Sequence, residues 1–408
     1  MKICDFRQLS SGDRCRVTAE IQWEDCGRPQ QQVYYETASP FAADLTCSPN
    51  GFLVAAFIPA MRAGERRVAV EGPICPELRD GLQVAMRWLH QWYGDARRPV
   101  AIEADVEASP SPRPQQEWAA CFFTGGVDSM ATLRRNRLEV PLTHPSSIKD
   151  GIIIYGLEVD REAAFNDVLA SLSIVADDAG MTLLPVSTNV RSLDLDWTFW
   201  EFEWEGAVYA AVAHALSKRV TIASVSSTYD IPHMNVLGSH PLLDPNYGST
   251  HLRVRHEGIT MSRLDKLRLI AGWQIGLDHL RVCNHVEDYR DTTINCSRCE
   301  KCIRTMLGLA AIGALDKTRA FAARELTPDA VASRAQIYSP YMEACYRELV
   351  EPLVTQGRHD LAHVVQHVLS KHRGELGWKG SVRRVDREHL GGRLRLMKRL
   401  FVEGSKPH

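Results

Sequence analysis

Residues 119–129 read AACFFTGGVDS, and the helical pattern MATLRR follows almost directly. A short apolar run, two adjacent glycines and a helix start are typical of a phosphate-binding turn, because glycines let backbone N–H groups face an anion at the positive end of a helix. The hydroxyls of Thr124 and Ser129 add donors, and Asp128 is suited to a Mg²⁺ that bridges phosphate oxygens. The alternative is a plain strand-to-helix turn with Asp and Ser as caps.

Outward from this turn, apolar strands alternate with helical patterns. One helix face, within residues 165–176, ends at Gly180. Continuous apolar strands joined by helices indicate a parallel sheet covered on both faces, with ligands at its carboxyl end. We therefore predict an α/β fold with a doubly wound parallel sheet from residue 119 to about 310, with strands at 119–124, 152–157, 182–187 and 220–226.

The first hundred residues show mostly strand patterns, including the apolar run GFLVAAFIPA at 51–60, and one helix at 78–92 that ends at Gly94. They predict a small antiparallel sheet. Three prolines within 108–115 indicate a domain boundary. We expect four parts: a β-rich accessory or substrate domain (1–107), a linker (108–117), an α/β domain (118–326) and a helical C-terminal region with a basic tail (327–408).

The composition is that of a globular protein, with 408 residues, 45% of them hydrophobic and 24% charged. These values exclude disordered, collagenous and small disulfide-rich chains. The longest apolar stretch, at 206–216, is too short to span a membrane, and the N-terminus lacks an apolar signal core. We expect a cytoplasmic protein with no membrane partner.

The net charge of −2 makes nucleic acid an unexpected partner, although the basic tail leaves that interaction open. The aromatic residues at 197–204 could stack on bases, but packing in the core explains them better beside three glutamates. The sequence is compatible with a homo-oligomer and does not decide the oligomeric state.

A second motif is Cys-x₂-Cys-x₂-Cys, preceded by a further cysteine thirteen positions earlier. Four thiolates at this spacing predict a tetrahedral, structural Zn²⁺ site with no open coordination position. An iron–sulfur cluster and free thiols at a helix start are alternatives, and His285 could replace the first cysteine. The predicted ligands are Cys283, Cys296, Cys299 and Cys302.

FTGGVDS resembles the pyrophosphate-binding loop of the N-type ATP pyrophosphatases, or adenine nucleotide alpha hydrolases, whose usual form is SGGxDS. Thr124 stands for the first serine and keeps its hydroxyl. The resemblance implies a HUP-like sheet and cleavage of ATP between its α- and β-phosphates, with AMP placed on a carbonyl or carboxyl oxygen. It also implies that Asp128 holds Mg²⁺ and that ATP is bound by Thr124, Gly125, Gly126, Val127, Asp128 and Ser129.

Together, the loop and the cysteine motif resemble the family of 7-cyano-7-deazaguanine synthases over residues 119–310, under half of the chain. In that family a carboxylate is adenylated, ammonia forms an amide, and a second adenylation drives dehydration to a nitrile. The loop at 227–256 lacks the substrate pattern associated with the family. We expect a small-molecule substrate, purine-like or bearing a carboxylate or amide, that is selected by residues 1–107 and this loop.

Four further residues are candidates for the chemistry. His233 and His240 lie in the polar loop and are suited to acid–base work, unless that loop is only a solvated connection. Ser262-Arg263 resembles the family's Thr-Lys pair, so Arg263 would offset charge on the α-phosphate, with Lys266 behind it. Surface cations are the alternative.

Cys121 lies in the strand that leads into the glycine turn, where a buried inert thiol is the simplest interpretation. Related pyrophosphatases use a reactive cysteine to deliver sulfur, so Cys121 or Cys75 could instead serve a reaction that forms a thioamide or a thiolated base. A third hypothesis is a non-catalytic module that binds adenine nucleotides. The intact Asp128 and Ser129 count against it, since a mere binder need not orient a leaving pyrophosphate.

Overall fold

The computed structural model describes residues 1–107, 117–285, 294–323 and 325–389. Its ten strands form one mixed sheet. They are β1 (Lys2–Ser11), β2 (Arg14–Gln22), β3 (Gln31–Ala38), β4 (Arg67–Val70), β5 (Ala101–Glu103), β6 (Ala119–Phe122), β7 (Ile148–Tyr155), β8 (Thr182–Thr188), β9 (Ile222–Ser226) and β10 (Arg253–Glu257).

The described residues also form α-helices. They are α1 (Pro49–Ala63), α2 (Pro76–Tyr93), α3 (Val127–Glu139), α4 (Glu162–Ala179), α5 (Trp197–Phe199), α6 (Glu205–Ala215), α7 (Arg263–Ala271), α8 (Gln274–Asp278), α9 (Glu300–Ala311), α10 (Pro328–Arg334), α11 (Pro340–Arg347), α12 (Val350–Thr355) and α13 (His359–His389).

Strands β6 to β10 form a continuous parallel block of the sheet, in the order β8-β7-β6-β9-β10, and β4 also pairs parallel with β1 and β5. From β6 the chain first builds outward through β7 and β8 and then returns to build β9 and β10 on the other side. This reversal is a topological switch point, where open α/β sheets bind ligands at the carboxyl ends of their strands. The predicted α/β architecture with a parallel sheet is confirmed, and the glycine turn follows the strand at the switch point.

The remaining strands continue the same sheet. β1, β2 and β3 are antiparallel neighbours, and β3 pairs antiparallel with β8 through Tyr35 and Glu36 opposite Thr188 and Ser187. One hydrophobic core extends from Met1 to Val254. The predicted division at 108–117 stays a prediction, and residues 108–116 lie outside the described part of the chain.

One predicted strand is wrong. Residues 51–60 lie in α1, which begins after Ser48, whose side chain accepts a hydrogen bond from the Asn50 N–H. Pro49 occupies the first helical turn, where a missing N–H costs nothing. Because this helix is buried on nearly all sides against the sheet and α6, it lacks the polar face that gives a helical period. The helix predicted at 78–92 is confirmed as α2, with Gly94 at its end.

The chain divides into two compact units, one formed by residues 1–297 and 317–324 and the other by 298–316 and 325–408. Within the second unit, α10, α11 and α12 each pack against α13, and α9 contacts α10 and α12. Of the predicted basic tail, residues 390–408 lie outside the described residues. Among the residues described, no helix is long and apolar enough to cross a membrane.

Candidate functional site

The glycine turn lies at the carboxyl end of β6, and α3 begins directly after it at Val127. Gly125 has a φ of 77°, in the left-handed region that glycine adopts without strain. A Cβ atom at this position would lie 2.7 Å from Leu172 Cδ2. Gly126 is the N-cap of α3, so the turn leads into a helix N-terminus. This is the local structure expected of an anion-binding loop.

The hydroxyl groups predicted to line the turn lie together. Thr124 Oγ1 and Ser129 Oγ are 3.4 Å apart. Thr124 Oγ1 accepts a hydrogen bond of 3.3 Å from the Gly126 N–H, and the Ser129 hydroxyl donates to the Gly126 carbonyl at 3.2 Å. Two hydroxyl donors and a helix N-terminus therefore converge on one small region.

Asp128 lies between two cations from the start of α7. Lys266 Nζ is 2.7 Å from Asp128 Oδ1 and donates to the Ser227 carbonyl at 2.6 Å. Arg263 Nη1 is 3.7 Å from Asp128 Oδ2. The Lys266 side chain is only 1% exposed, so its charge is held in place by these oxygens. The structure brings together Asp128, Arg263 and Lys266, with Lys266 in closer contact than Arg263.

α7 owes its position at this site to its first turn. The Ser262 hydroxyl accepts from the Asp265 N–H, and the Asp265 carboxylate accepts from the Ser262 N–H, which forms a capping box. Leu264 and Leu267 are buried, and the helix packs against α3. The Ser-Arg pair singled out in the sequence therefore marks a helix start opposite the glycine turn.

Arg281 also contacts the turn and was not predicted. Its backbone N–H donates to the Gly125 carbonyl at 2.8 Å, and its Nη1 donates to the Thr124 carbonyl at 3.2 Å. It belongs to an irregular segment 156 residues beyond Gly125, so no local pattern connects the two. Only the cysteine motif nearby, beginning with Cys283, indicated that this segment was structured.

A small cavity of about 30 Å³ lies beside the turn, at the carboxyl ends of β6 and β7. This volume admits only small molecules, so a ligand the size of a nucleoside could enter only if wall side chains moved. Phe122 and Tyr209 stack at 4.8 Å on one side of it. The walls are mostly apolar and comprise Phe122, Thr124, Ile152, Ile153, Ile154, Leu157, Glu158, Val159, Phe165, Val168, Tyr209 and Arg281.

A carboxyl group with a perturbed pKa lies beside this cavity. Tyr209 donates its hydroxyl to Glu205 Oε1 at 3.0 Å. Loss of hydration, together with the neighbouring Glu158 carboxylate, raises the pKa of Glu205 to about 8. Glu205 directly follows a π-helical turn at Trp200–Trp204, and such irregularities are frequent at functional sites. The sequence gives no signal for this group beyond its place in an acidic, aromatic stretch.

The two histidines predicted for acid–base work lie in local networks. His233 Nδ1 is 2.5 Å from Asp230 Oδ1. The His240 ring packs against Trp92 with centroids 5.0 Å apart, and its Nδ1 accepts from the Leu242 N–H at 3.1 Å. Burial lowers the pKa of His240, so its ring is neutral at physiological pH. These contacts indicate that His240 stabilises the conformation of its loop.

The thiols considered for sulfur delivery are buried. Cys121 is fully buried in β6, and burial raises its pKa to about 12. A reactive cysteine needs the thiolate form and access to its partner. Cys75 is also buried, and its Sγ accepts a hydrogen bond from the Thr250 N–H at 3.4 Å. These environments favour packing roles for both thiols.

The four cysteines of the second motif lie close together, with all four sulfur atoms within 4.8 Å of one another. The Cys283 sulfur accepts a hydrogen bond of 3.4 Å from the His285 N–H. Buried Asn295 accepts from the N–H groups of Val282 and Cys283 and donates to the Leu280 and Ala320 carbonyls. Four thiols in a backbone supported this way could hold a metal ion.

The aromatic cluster mostly serves the core, as the sequence predicts. Trp200 and Trp204 are buried, and Trp204 donates its indole N–H to the Ala55 carbonyl at 2.9 Å. Trp197 is 57% exposed and stacks with the Arg191 guanidinium, 3.9 Å from its ring centroid.

Comparisons with known protein families, with curated proteins and with solved structures find no match for this chain.

Proposed function

We propose that the chain is an ATP-dependent enzyme that transfers AMP to a substrate carboxylate and then lets a nitrogen nucleophile displace it. ATP would be cleaved to AMP and pyrophosphate. The observation that carries this proposal is the glycine turn at the switch point of the parallel sheet, with Asp128 held between Lys266 and Arg263. Residues of this kind in this place suit a polyphosphate and its metal ion.

The turn suits a departing pyrophosphate. Hydroxyl donors from Thr124 and Ser129 and the N-terminus of α3 converge there. The sequence has no separate Gly-rich loop ending in Lys-Ser or Lys-Thr of the kind that serves γ-phosphate transfer. We infer that the β- and γ-phosphates bind to residues 124–129, while Lys266 and Arg263 offset the charge that develops near the α-phosphate.

The apolar cavity beside β6 and β7 supports a place for the nucleoside. Its walls are the side chains of Ile152, Ile154 and Val168 with the Phe122–Tyr209 stack, and apolar and aromatic surfaces suit a purine ring. The ring would enter by displacing wall side chains from the present volume of about 30 Å³. The acceptor substrate would then lie on the opposite side of the turn, toward β9 and β10.

Two metal ions belong to the proposal. Asp128 would hold Mg²⁺, whose chemistry is to neutralise phosphate charge during bond cleavage. The four-cysteine group would hold Zn²⁺ in a closed tetrahedral set, which stabilises the fold and leaves no position for a reactant. Zn–S bonds of about 2.3 Å put sulfurs roughly 3.8 Å apart in a tetrahedron, so a modest contraction of the present group suffices.

The acceptor follows from the resemblance to the 7-cyano-7-deazaguanine synthases. A carboxylate is a poor electrophile because its leaving group would be oxide, whereas AMP leaves easily from the mixed anhydride. Ammonia then forms a C–N bond as the C–O bond to AMP breaks. The carboxylate that corresponds to the family's nitrile product, 7-carboxy-7-deazaguanine, is the first substrate to test.

The assay combines the full chain with ATP, Mg²⁺, 7-carboxy-7-deazaguanine and ammonium chloride, and separates AMP from ADP. We expect AMP and pyrophosphate in equal amounts. Asp128→Asn should lower turnover by roughly 100-fold or more, because it removes the carboxylate that holds Mg²⁺. Asp160→Asn is the matched control, since Asp160 is an exposed carboxylate near the same edge of the sheet.

Formation of ADP and orthophosphate would contradict the proposed cleavage. Normal turnover by Asp128→Asn would remove the assigned role of that carboxylate, whatever the nucleotide products are. Equal losses in the Asp128 and Asp160 variants would indicate a general effect of charge instead of a specific site.

A further inference from the structure

A buried pair of side chains, Asp244 and His256, lies on the β10 side of the site. His256 Nδ1 is 2.7 Å from Asp244 Oδ2. The carboxylate also accepts from the Ser239 hydroxyl at 2.7 Å and from the His240 N–H at 3.2 Å. The side chains of His256 and Asp244 are 3% and 0% exposed. Two hydrogen-bond donors therefore hold the Asp244 carboxylate in place, and the carboxylate in turn fixes the orientation of the His256 imidazole ring.

The other ring nitrogen of His256 is the second feature of this pair. Nε2 is buried and makes no hydrogen bond among the residues that the structure describes. Because Asp244 accepts at Nδ1, that nitrogen carries the hydrogen of the neutral ring, and Nε2 carries the lone pair. A buried acceptor without a donor is unfavourable, and a bound N–H group would satisfy it.

The register of the sheet places His256 level with the end of β6, from which the glycine turn continues. Cys121 of β6, Ser224 of β9 and Arg255 of β10 lie at one level across three neighbouring strands. One residue further on, Phe122 and His256 are therefore level and two strand spacings apart, about 10 Å.

Both of these side chains lie on the face covered by α6. Phe122 stacks on Tyr209, and a Cβ at Gly206 would lie 2.3 Å from Asp244 Oδ1. The turn at 124–129 begins two residues after Phe122. A substrate that reaches from the turn toward β10 would thus approach His256.

The group resembles a hydrolytic triad only in its residue types. In a serine hydrolase the serine hydroxyl meets the imidazole nitrogen opposite the aspartate. Here Ser239 donates to the carboxylate itself and lies 3.5 Å from Nδ1, the same nitrogen that faces Asp244. Ser239 therefore supports Asp244, and Nε2 is left for a ligand.

Resting on the proposed function, we propose that His256 is the proton acceptor for the nitrogen nucleophile in the transfer step, with Asp244 as its positioning residue. Ammonia attacks the carbonyl carbon of the acyl adenylate and forms the C–N bond. One N–H proton passes to Nε2, and the C–O bond breaks with its electron pair on AMP. The products are the amide, AMP and a protonated His256, which returns its proton to solvent.

The test separates adenylation from transfer in the full chain, with ATP, Mg²⁺ and 7-carboxy-7-deazaguanine. Exchange of labelled pyrophosphate into ATP reports adenylation, and amide formation from ammonium chloride reports transfer. His256→Asn keeps a donor toward Asp244 but removes Nε2. We expect exchange within about threefold of the parent chain and amide formation lowered by roughly 100-fold or more.

In the second arm of the experiment, hydroxylamine replaces ammonia as the nucleophile. Hydroxylamine is neutral near pH 7 and attacks acyl adenylates with little need for a base. We expect the His256→Asn chain to form the hydroxamate at close to the parent rate. His279→Asn is the matched control, since the Nδ1 atom of half-buried His279 lies 2.8 Å from Ser171 Oγ, away from the Asp244 group. It should leave both reactions unchanged.

Parent-like amide formation by His256→Asn would overturn the role of Nε2. Loss of pyrophosphate exchange and of hydroxamate formation in that variant would also overturn it, because His256 would then serve adenylation or folding. Absence of AMP from the parent chain would instead overturn the proposed function, so the two failures differ.

Asp244→Asn gives an independent check of the tautomer. An amide that donates at Nδ1 moves the hydrogen to Nε2, which abolishes the acceptor while the imidazole stays. Imidazole ¹⁵N spectra of the full chain should show His256 protonated at Nδ1 in the parent and at Nε2 in the variant. A parent spectrum with the hydrogen on Nε2 would contradict the proposal.

Discussion

Gly125 shows most directly how a single residue determines this site. Its φ of 77° lies in the left-handed region, and a Cβ atom there would approach Leu172 Cδ2 to 2.7 Å. Both the backbone conformation and the packing against α4 therefore require glycine. The pair of glycines noticed in the sequence thus has a physical basis in the turn between β6 and α3.

Gly125→Ala should reduce activity far more than stability. The left-handed conformation costs alanine about 1–2 kcal/mol, and the contact with Leu172 forces the turn to move. We expect the rate at limiting ATP to fall on the order of 100-fold, since a displacement near 1 Å in a binding loop has that effect. Steady-state kinetics and thermal melting would measure both quantities.

Gly180→Ala is the matched control. Gly180 has a φ of 60° at the end of α4, but no atom lies within 4 Å of its would-be Cβ. It should lose a similar amount of stability from strain alone and keep its turnover. Equal loss of activity in the two variants would argue against a specific role for the turn.

Residues of the glycine turn were predictable from the sequence as one local motif, whereas Arg281 and His256, which belong to no local motif, were not. Thr124, Asp128 and Ser129 lie within six positions and form one local motif. Arg281 contacts the turn from an irregular segment 156 residues further along the chain, and His256 is on β10, which neighbours β9 in the sheet. Lys266 was predicted as a second cation and makes the closer contact with Asp128.

At the scale of elements, periodicity identified the helices and strands that have one polar face. α2 has its apolar residues on one side, and β2 alternates between its two faces. α1 is apolar on nearly all sides because it is enclosed between the sheet and α6, so its sequence has no helical period. β10 went unrecognised within a loop rich in glycine and proline, since its sequence RVRHE has only one apolar residue.

The four-cysteine group makes a prediction about stability. Cys299→Ser should abolish the binding of one zinc per chain and lower the melting temperature sharply, because structural zinc contributes its binding free energy to folding. Cys26→Ser is the control, since Cys26 is half-exposed and lies outside the group. Elemental analysis and calorimetry would measure both changes.

A parent chain without zinc, or one that contains iron with visible absorbance, would contradict the zinc assignment. A Cys299→Ser chain with full stability would show that the group is not a folding element.

For the whole molecule, the continuity of the sheet changes the expectation for residues 1–107. β3 pairs with β8, and core residues of this region, among them Tyr35, Phe52 and Phe57, share one cluster with residues up to Val254. The sequence led us to expect that residues 1–107 form an accessory or substrate domain. The pairing indicates that removal of these residues would uncover β8 and the face of α6 that packs on α1.

We therefore expect a chain that begins at residue 108 to be insoluble or to lack a cooperative melting transition. Solubility, circular dichroism and thermal melting, each compared with the full chain, would test this. A soluble truncated chain that melts cooperatively would show that the α/β part folds alone.

Residues 124–129 are proposed to hold the pyrophosphate part of ATP. The most direct measurement is a structure of the full chain with Mg²⁺ and α,β-methylene-ATP, in which the bond proposed to break cannot be cleaved. We expect the β- and γ-phosphates to lie within hydrogen-bond distance of the turn. Mg²⁺ should be bound to Asp128, and the α-phosphate should face Lys266 or Arg263. A triphosphate bound elsewhere, or an adenine ring on the turn in its place, would contradict it.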